Sequence, residues 1–361
     1  MHVVVPEGID DPARPSGGNR YDRRICAELA VAGWDVRELV APGGWPRPDA
    51  AALAGLSRTL GTVPDDAVVL LDGLVASAAG SVLVPESGRL RQVVLVHMLF
   101  GDPLPAGDPL PFDGPAVPAE AECAVLRHAR AVVTTSSWTR ERLLDRYRLA
   151  PERVHVARPG VDRGGLAPGS PAGNRLLCVG AVVPDKGQDL LLEALHRIAD
   201  RPWTCTVVGA LDRDPAFVRR LRRRAADAGL DDRISFPGPR GGAELTREYR
   251  TADVLVHPSR LESYGMVVTE ALAVGLPVVA TDVGGVPEAL ARTVEGLPGL
   301  LVPPDDPGAL AEALGDWLGD PELRERLRRR ARERRTSSEG WDATARRLTA
   351  VLLAAGEGVR S

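Results

Sequence analysis

The chain has 361 residues, of which 44% are hydrophobic and 26% are charged, a balance typical of a soluble globular protein with sizeable cores. This length favours two domains over one. A net charge of -4 and an aromatic content of 4% supply neither the basic field nor the stacking rings of a nucleic-acid-binding protein. We therefore predict no nucleic-acid partner.

The cysteine pattern and the apolar runs indicate a cellular location. No Cys-x-x-Cys pair occurs among the four cysteines, which favours a reducing compartment and gives no zinc site; they are Cys26, Cys123, Cys178 and Cys205. The start MHVVVPEGID lacks the charged residues and long apolar segment of a signal peptide. No stretch reaches the roughly 18 apolar residues of a membrane span. We expect a cytoplasmic protein without a transmembrane segment.

Short β-rich runs alternate with longer helical patterns along the chain. The predicted strands are, in order, His2–Val5, Asp35–Val40, Ala67–Leu71, Gln92–His97, Ala131–Thr135, Arg153–Ala157, Arg175–Val179, Trp203–Val208, Arg233–Phe236, Asp253–His257, Pro277–Thr281 and Gly299–Val302. Several are near-continuous apolar runs, such as VVLV, which are typical of parallel strands buried on both faces. The alternation predicts an α/β protein with two doubly wound, Rossmann-like domains.

Composition also predicts the domain boundary. The segment RGGLAPGSPAGN (163–174) is rich in Gly, Pro and Ser and lacks periodicity, as a linker would. We therefore predict an N-terminal domain at 1–165 and a C-terminal domain at 166–340. A last helical segment, 341–361, has no strand after it, which leaves open the domain on which it packs. We expect the domains to face each other across a cleft lined by carboxyl ends of strands, where such sheets bind ligands.

The segment LESYGMVVTEALAVGLPVV (261–279) predicts an anion site. A loop leads from the strand DVLVH into a helix that starts at Met266, and Gly275 ends that helix. Backbone N–H groups near Gly265, Met266 and Val267 would point out of the helix N-terminus, where they can bind a phosphate.

Two glutamates flank this predicted anion site. Glu262 and Ser263 lie in the loop before it, and Glu270 lies roughly 7 Å along the helix, at 1.5 Å per residue. A diphosphate at the helix start would place one attached group near Glu262 and the other near Glu270, which can accept two hydrogen bonds from a ribose diol. The alternative is that Glu262 is solvated and that Glu270 is an ordinary first-turn acid favoured by the helix dipole. These residues alone leave both interpretations open.

Four other positions follow strands. Lys186, in VPDKGQDLL, lies at a predicted helix start, where the dipole disfavours a cation unless it serves a ligand such as a diphosphate. Gly17 and Gly18 precede a helix after the first strand, so their backbone can approach a phosphate or sugar closely. His97 ends the strand VVLVH, and Asp72 ends VVLLD, where it could contact an acceptor hydroxyl.

The stretch HPSRLESYGMVVTEALAVGLPVVATDVGGVPE resembles the core motif of the family 4 retaining glycosyltransferases, which have the GT-B fold. LLCVGAVVPDKGQDLLLEAL, TVVG, ISFPG and YRTADVLVHPS follow in that family's order and spacing. PSGGNRYDRRI, VVLVHMLFG, VVTTSSWTRERLL and VHVARPGVD resemble it more loosely in the first half. The resemblance implies a nucleotide-sugar donor bound mainly by the second domain, an acceptor bound mainly by the first, and retention of the anomeric configuration.

The resemblance also assigns individual residues. It implies that His97 contacts the donor sugar near the reacting carbon. The family usually carries Arg directly after the glycine equivalent to Gly180 as a second phosphate cation, but this chain has Ala181. Arg240 and Arg260 are two candidates to replace that cation, and the sequence does not choose between them.

We therefore predict a retaining glycosyltransferase that moves a sugar from a nucleotide-diphosphate sugar, with UDP as first choice, to a hydroxyl acceptor. Glu262, Lys186 and His97 are the predicted catalytic residues. We expect no metal and no other cofactor, because the helix dipole and Lys186 supply the positive potential. Acidic residues flank the arginine runs at 219–224 and 327–335, which favours solvated helix faces over contact with anionic lipid.

Two other functions fit the same donor site. A nucleotide-sugar epimerase or hydrolase would need no acceptor, and release of free sugar or isomerised donor would favour it. A non-catalytic sugar-nucleotide-binding protein is suggested by Ala181, and tight donor binding without turnover would favour it. The fold alone does not choose among the three, and the sequence names neither the sugar, the acceptor nor the oligomeric state.

Overall fold

The computed structural model describes residues 1–100 and 117–357. Two sequence-based predictions extend outside this range: the motif VVLVHMLFG ends at residue 101, and the last helical segment was expected to reach residue 361. The described residues group into two compact units. Unit 1 contains residues 1–10, 16–160 and those from 341 onward, and unit 2 contains residues 11–15 and 161–340. The boundary between 165 and 166 stays a prediction.

Unit 1 is built on a six-stranded parallel sheet with the strand order β2-β1-β3-β4-β5-β6. Its strands are β1 (His2–Pro6), β2 (Arg37–Ala41), β3 (Val68–Asp72), β4 (Arg91–Val96), β5 (Ala131–Thr134) and β6 (Val154–Val156). Its helices are α1 (Gly17–Val31), α2 (Ala50–Gly61), α3 (Gly73–Ala76), α4 (Gly80–Glu86), α5 (Ala119–His128), α6 (Ser137–Tyr147) and the last one, α14 (Trp341–Gly356).

Unit 2 repeats this architecture with the strand order β12-β11-β10-β7-β8-β9, again all parallel. Its strands are β7 (Arg175–Val179), β8 (Thr204–Val208), β9 (Ile234–Gly238), β10 (Val254–His257), β11 (Val278–Thr281) and β12 (Gly299–Val302). Its helices are α7 (Gln188–Arg197), α8 (Pro215–Asp227), α9 (Gly242–Thr251), α10 (Met266–Ala273), α11 (Val286–Leu290), α12 (Pro307–Gly319) and α13 (Pro321–Ser337).

The predicted α/β fold with two parallel sheets is confirmed, and each of the twelve predicted strands is present with small shifts at its ends. The central strands β4 and β10 are buried on both faces, as their continuous apolar sequences predict. In unit 2 the strand order reverses between β7 and β10, which are hydrogen-bonded neighbours. Ligands of open α/β sheets bind at the carboxyl ends of strands at such a reversal.

The predicted linker is fixed to unit 2. Asp253 is fully buried, and its carboxylate accepts hydrogen bonds from the hydroxyl of Ser170 at 2.7 Å and from the backbone N–H of Arg175 at 3.0 Å. Arg328 and Arg335 of α13 donate to the backbone carbonyls of Ser170 and Gly164 at 2.7 and 2.9 Å. The prediction of a solvated arginine face is therefore wrong for this part of α13, because the partly buried carbonyls of an irregular segment need donors.

The arginine run of α8 is exposed, in agreement with its prediction. Helix α14 packs within unit 1, which answers the question left open by its sequence. The rings of Trp341 and Tyr21 meet edge to face at 5.5 Å, and Thr344 donates to the carbonyl of Arg158 at 2.7 Å. Among the helices of the described residues, none has the length and apolar character needed to cross a bilayer.

Candidate functional site

In unit 2, Lys186 lies at the carboxyl end of β7 in a 3-10 turn, Pro184–Lys186, directly before α7. Gly187 follows with a φ of 65°, and a Cβ atom there would lie 2.0 Å from the carbonyl oxygen of Pro258. Only glycine fits this close approach of two loops. The turn directs Lys186 so that its Nζ lies 2.8 Å from Glu262 Oε2. The two predicted catalytic residues of this unit therefore form an ion pair beside the strand reversal.

A histidine that the sequence analysis did not select completes this cluster. His257, the last residue of β10, is 2% exposed, and its Nε2 lies 3.4 Å from the same Glu262 oxygen. Burial alone would raise the pKa of Glu262, but the Lys186 ammonium and His257 outweigh burial and hold that pKa well below its usual range. Glu262 is therefore ionised at neutral pH and is ready to accept hydrogen bonds. The available signal was the position of His257 at a strand end, which it shares with His97.

The helix that follows Glu262 begins without a side-chain cap. Gly265, its N-cap residue, has a φ of 95° and lacks any side-chain cap hydrogen bond. A Cβ atom on Gly284 would lie 1.8 Å from the carbonyl oxygen of Glu262, so the loop after β11 packs directly on the loop that carries Glu262 and Ser263. The N–H groups of Met266 and Val267 begin the helix, as predicted for an anion site.

Glu270 lies on α10 in the second turn and is partly exposed. Its Oε2 accepts a hydrogen bond from the Tyr249 hydroxyl at 2.8 Å. Tyr249 is buried on α9, and the sequence analysis did not select it. This contact orients the carboxylate and leaves its ribose contact a prediction.

The structure distinguishes between the two candidates for the phosphate-binding cation that is missing at position 181. Arg260 donates to both carboxylate oxygens of Asp189, at 2.8 and 2.9 Å, and to Asp305 at 2.7 Å. Its guanidinium therefore already has two acidic partners. Arg240 is 3.5 Å from Glu244 in a pair on the exposed surface, where such contacts contribute little. Of the two, Arg240 has the weaker acidic contact, and its role as the replacement cation stays a prediction.

In unit 1, the glycine pair begins α1. The Ser16 hydroxyl caps the helix by accepting from the Asn19 N–H at 3.1 Å. A Cβ atom on Gly18 would lie 3.1 Å from Cδ2 of His97, so the absence of a side chain at Gly18 allows the helix start to lie against this ring. Gly18 is thus placed beside His97, and the contact of Gly17 and Gly18 with a ligand stays a prediction.

His97 belongs to a buried cluster with two aspartates. Its Nε2 lies 2.8 Å from Asp22 Oδ1 and 3.9 Å from Asp72 Oδ2. Asp22, on α1, was not selected from the sequence. Asp72 caps the short helix α3 by accepting from the Leu74 N–H and is 4% exposed. The predicted contact of Asp72 with an acceptor hydroxyl is not tested by this geometry.

Burial governs the titration of this cluster. It raises the pKa of Asp22 from 3.8 to about 6. It also raises the pKa of Asp72, with the neighbouring Asp22 charge acting in the same direction, and it lowers the pKa of His97. At pH 7 to 8 we therefore assign an ionised Asp22 and a neutral His97, and the raised pKa of Asp72 favours its protonated form.

The raised pKa of Asp22 predicts a pH-dependent contribution to stability that Asp22→Asn should remove. Because the folded-state pKa of Asp22 is raised, its stabilising contribution is complete below about pH 4 and is lost as the pH rises through 6. At about 1.4 kcal/mol per pKa unit, the free energy of unfolding of the variant relative to wild type should rise by about 3 kcal/mol from pH 4 to pH 8. Urea unfolding at both pH values measures this difference.

Asp145→Asn is the matched control, because Asp145 is exposed on α6. Its unfolding free energy relative to wild type should be the same at the two pH values. A flat difference for Asp22→Asn as well would show that Asp22 does not titrate as assigned.

Comparison with known proteins identifies two matching family models. Residues 170–334 match the model described as glycosyl transferases group 1, and residues 72–164 match the one described as glycosyltransferase family 4. The first match contains every predicted site residue of unit 2, and the second contains Asp72 and His97.

Two curated relatives are also named as glycosyltransferases. The D-inositol 3-phosphate glycosyltransferase of Jonesia denitrificans is 35% identical over 247 residues, or 63% of this chain and 57% of that protein. D-inositol 3-phosphate glycosyltransferase 1 of Catenulispora acidiphila is 33% identical over 345 residues, or 89% of this chain and 79% of that protein. The match thus spans little more than half of the first relative's length and most of the second's.

A solved structure shows the shared fold. HepE from Anabaena, crystallised in complex with UDP and glucose, has a TM-score of 0.74 and 18% sequence identity, with 98% of this chain and 99% of that chain covered. At this identity the likeness establishes the architecture alone.

Proposed function

Because this chain belongs to the family 4 glycosyltransferases and has the GT-B fold, we propose that it transfers a sugar from a nucleotide-diphosphate sugar to a hydroxyl acceptor with retention of the anomeric configuration. The observation that carries this proposal is the Lys186–Glu262 ion pair, 2.8 Å long, at the carboxyl ends of β7 and β10. An uncapped helix start follows it directly. A cation, a carboxylate and free N–H groups in one place suit a ligand that joins a diphosphate to a polyol.

Unit 2 holds the donor in this proposal. Lys186 and the N–H groups of Met266 and Val267 bind the diphosphate, where the helix start favours an anion. On binding, Lys186 turns from Glu262 to the phosphate, and Glu262 accepts from sugar hydroxyls, with Ser263 in the same loop. Four residues complete the donor site: Gly265 shapes the helix start, Glu270 binds the ribose diol, Tyr249 orients Glu270, and Arg240 supplies the cation absent at Ala181.

Unit 1 supplies His97, which we assign to a hydroxyl of the donor sugar near the reacting carbon. The backbone of Gly17 and Gly18 approaches the ligand beside it, and Asp72 is retained as a predicted acceptor contact.

The proposed step is a substitution on one face of the sugar. The acceptor oxygen bonds to the anomeric carbon while the bond from that carbon to the phosphate oxygen breaks. The leaving phosphate oxygen takes the acceptor proton. Lys186 and the α10 N–H groups stabilise the charge that develops on the leaving diphosphate, as preorganised donors do elsewhere. In this proposal Lys186 and the α10 N–H groups replace a metal ion, and the reaction uses the donor and the acceptor as substrates without a cofactor.

The donor site can be tested through a property of the composition. Lys186 is the only lysine in the 361-residue chain, so an amine-reactive reagent reports on Lys186 and the terminal amine alone. We expect UDP to slow labelling of Lys186 several-fold and to leave the N-terminal rate unchanged, which peptide mass spectrometry measures. A labelling rate at Lys186 that saturating UDP, GDP and ADP all leave unchanged from the ligand-free rate would contradict the assignment of Lys186 to a diphosphate.

A transfer assay then separates the three candidate functions. A radiolabelled UDP-sugar is incubated with hydroxyl acceptors, and a phosphorylated inositol is tested first because of the names of the relatives. A glycosylated product supports the proposed transfer, and the configuration of its new bond tests retention. Free sugar or isomerised donor without acceptor would support the hydrolase or epimerase instead. Donor binding without any turnover would support the non-catalytic binding protein. The cytoplasmic location stays a prediction.

A further inference from the structure

We propose that Asp22 is a positioning residue that fixes the tautomer of His97, so that Nε2 carries the proton and Nδ1 is presented as a hydrogen-bond acceptor. This inference rests on the proposed role of His97 toward a sugar hydroxyl. It adds a residue outside the predicted site and a direction for the hydrogen bond that His97 makes to its ligand.

The geometry begins with the contact between the two side chains. Asp22 Oδ1 is 2.8 Å from His97 Nε2, and the Asp22 side chain is 3% exposed. The His97 side chain keeps 16% of its surface exposed. Its ring is held edge to face against Tyr21 at 5.2 Å. Within the described residues Nδ1 makes no hydrogen bond, so it is the ring nitrogen left for a ligand.

The charge of Asp22 decides which nitrogen carries the proton. A carboxylate can only accept, so it requires Nε2–H and leaves a lone pair on Nδ1; a protonated carboxyl could donate to Nε2 and leave Nδ1–H. The other Asp22 oxygen, Oδ2, is buried and lacks a donor among the described polar groups. Asp72 can supply that donor through Oδ2, because its own Oδ1 is occupied by the Leu74 N–H and because burial and the Asp22 charge raise the pKa of its carboxyl, which favours the protonated form.

The two aspartates therefore carry one negative charge between them, and that charge lies on Asp22. Asp72 donates to Asp22, and Asp22 accepts from both Asp72 and His97. The Arg23 guanidinium also favours ionised Asp22. An Nδ1 that can only accept suits a hydroxyl of a sugar or acceptor, which donates its proton. It excludes a direct hydrogen bond to a phosphate or carboxylate oxygen.

The same three side chains could instead hold a cation, since their ligand atoms all lie within 4.8 Å of one another. A cation would ionise both aspartates and take the Nε2 lone pair, which places the proton on Nδ1. The two arrangements thus predict opposite tautomers.

Nitrogen NMR of protein labelled with ¹⁵N-histidine measures the tautomer directly. The chain has six histidines, and the signals absent from His97→Gln identify those of His97. At pH 8 we expect a protonated Nε2 and an unprotonated Nδ1. In Asp22→Asn the amide can donate to Nε2, and the His97 tautomer should invert. Asp72→Asn keeps a donor toward Asp22 and should retain the wild-type tautomer, as should the exposed control Asp145→Asn.

A protonated Nδ1 in the wild type, or an unchanged tautomer in Asp22→Asn, would overturn the proposal. So would a His97 signal that changes when EDTA is added, because it would identify a bound cation. Circular dichroism of each variant confirms that it is folded before its spectrum is interpreted.

Activity separates this inference from the proposed function. If both hold, kcat/KM of Asp22→Asn falls about 10-fold, the scale of one lost hydrogen bond, while that of Asp145→Asn is unchanged. Tautomer inversion with full activity would preserve the role of Asp22 and contradict the role of His97 toward the donor. An unchanged tautomer contradicts the inference at any level of activity.

Discussion

Lys186→Met is expected to lower kcat/KM roughly 30- to 1000-fold. This corresponds to a loss of about 2–4 kcal/mol of transition-state stabilisation, the range seen when a preorganised stabiliser of developing charge is lost. Methionine keeps an unbranched side chain of similar length and removes the ammonium group, with its charge and its hydrogen-bond donors. The loss should fall mainly on kcat, because the charge on the leaving diphosphate grows as the bond breaks. Steady-state kinetics with a UDP-sugar and the acceptor identified by the transfer assay measures both parameters.

The ion pair with Glu262 makes a control for stability necessary. Removing Lys186 leaves a largely buried carboxylate without its closest cation, at a cost of about 1–3 kcal/mol of folding free energy. The double variant Lys186→Met/Glu262→Gln removes both charges and should recover much of this stability without recovering activity. Arg197→Met, in the exposed Arg197–Glu193 pair, is the matched control and should change neither the folding free energy nor the activity. Normal turnover by Lys186→Met, or rescue of activity in the double variant, would contradict the assignment.

Glu262→Gln and Glu270→Gln are expected to separate the two ends of the donor. Glu270→Gln should weaken UDP and the intact UDP-sugar alike, by about 1–3 kcal/mol, because both contain the ribose and the lost acceptor is charged. Glu262→Gln should weaken the intact donor by a similar amount. For UDP alone, Glu262→Gln should leave affinity equal or higher, because Lys186 is released from its carboxylate partner and its charge faces the diphosphate. Isothermal titration calorimetry measures all four affinities.

Tyr249→Phe provides the matched control for the ribose end. It keeps the ring and removes the hydroxyl that donates to Glu270 at 2.8 Å, so it should weaken UDP and the UDP-sugar by the same small factor. Equal losses of UDP affinity in Glu262→Gln and Glu270→Gln would show that the ligand runs in the opposite direction or binds elsewhere.

The sequence allowed candidate positions to be selected in the segments that follow strands. Lys186 and Glu262 follow β7 and β10, which are parallel neighbours in the sheet of unit 2 and bring both segments to the same edge of that sheet. His97 follows β4 in the sheet of unit 1. His257 offered the same signal and was missed because it reads as the end of the buried strand VLVH. Asp22 and Tyr249 offered none. Each lies within a helix among charged residues, where a solvated position is the usual interpretation.

The sequence by itself determined the α/β class, the twelve strands and the family, because continuous apolar runs, glycine turns and motif order are local properties of the chain. The tertiary structure alone decided which side chains meet. It pairs Lys186 with Glu262, 76 positions apart, and His97 with Asp22, 75 positions apart. It also binds Arg260 to Asp189 and Asp305. Such contacts depend on strand order and loop packing, which periodicity does not encode, and burial at those contacts then sets the charge that each group carries.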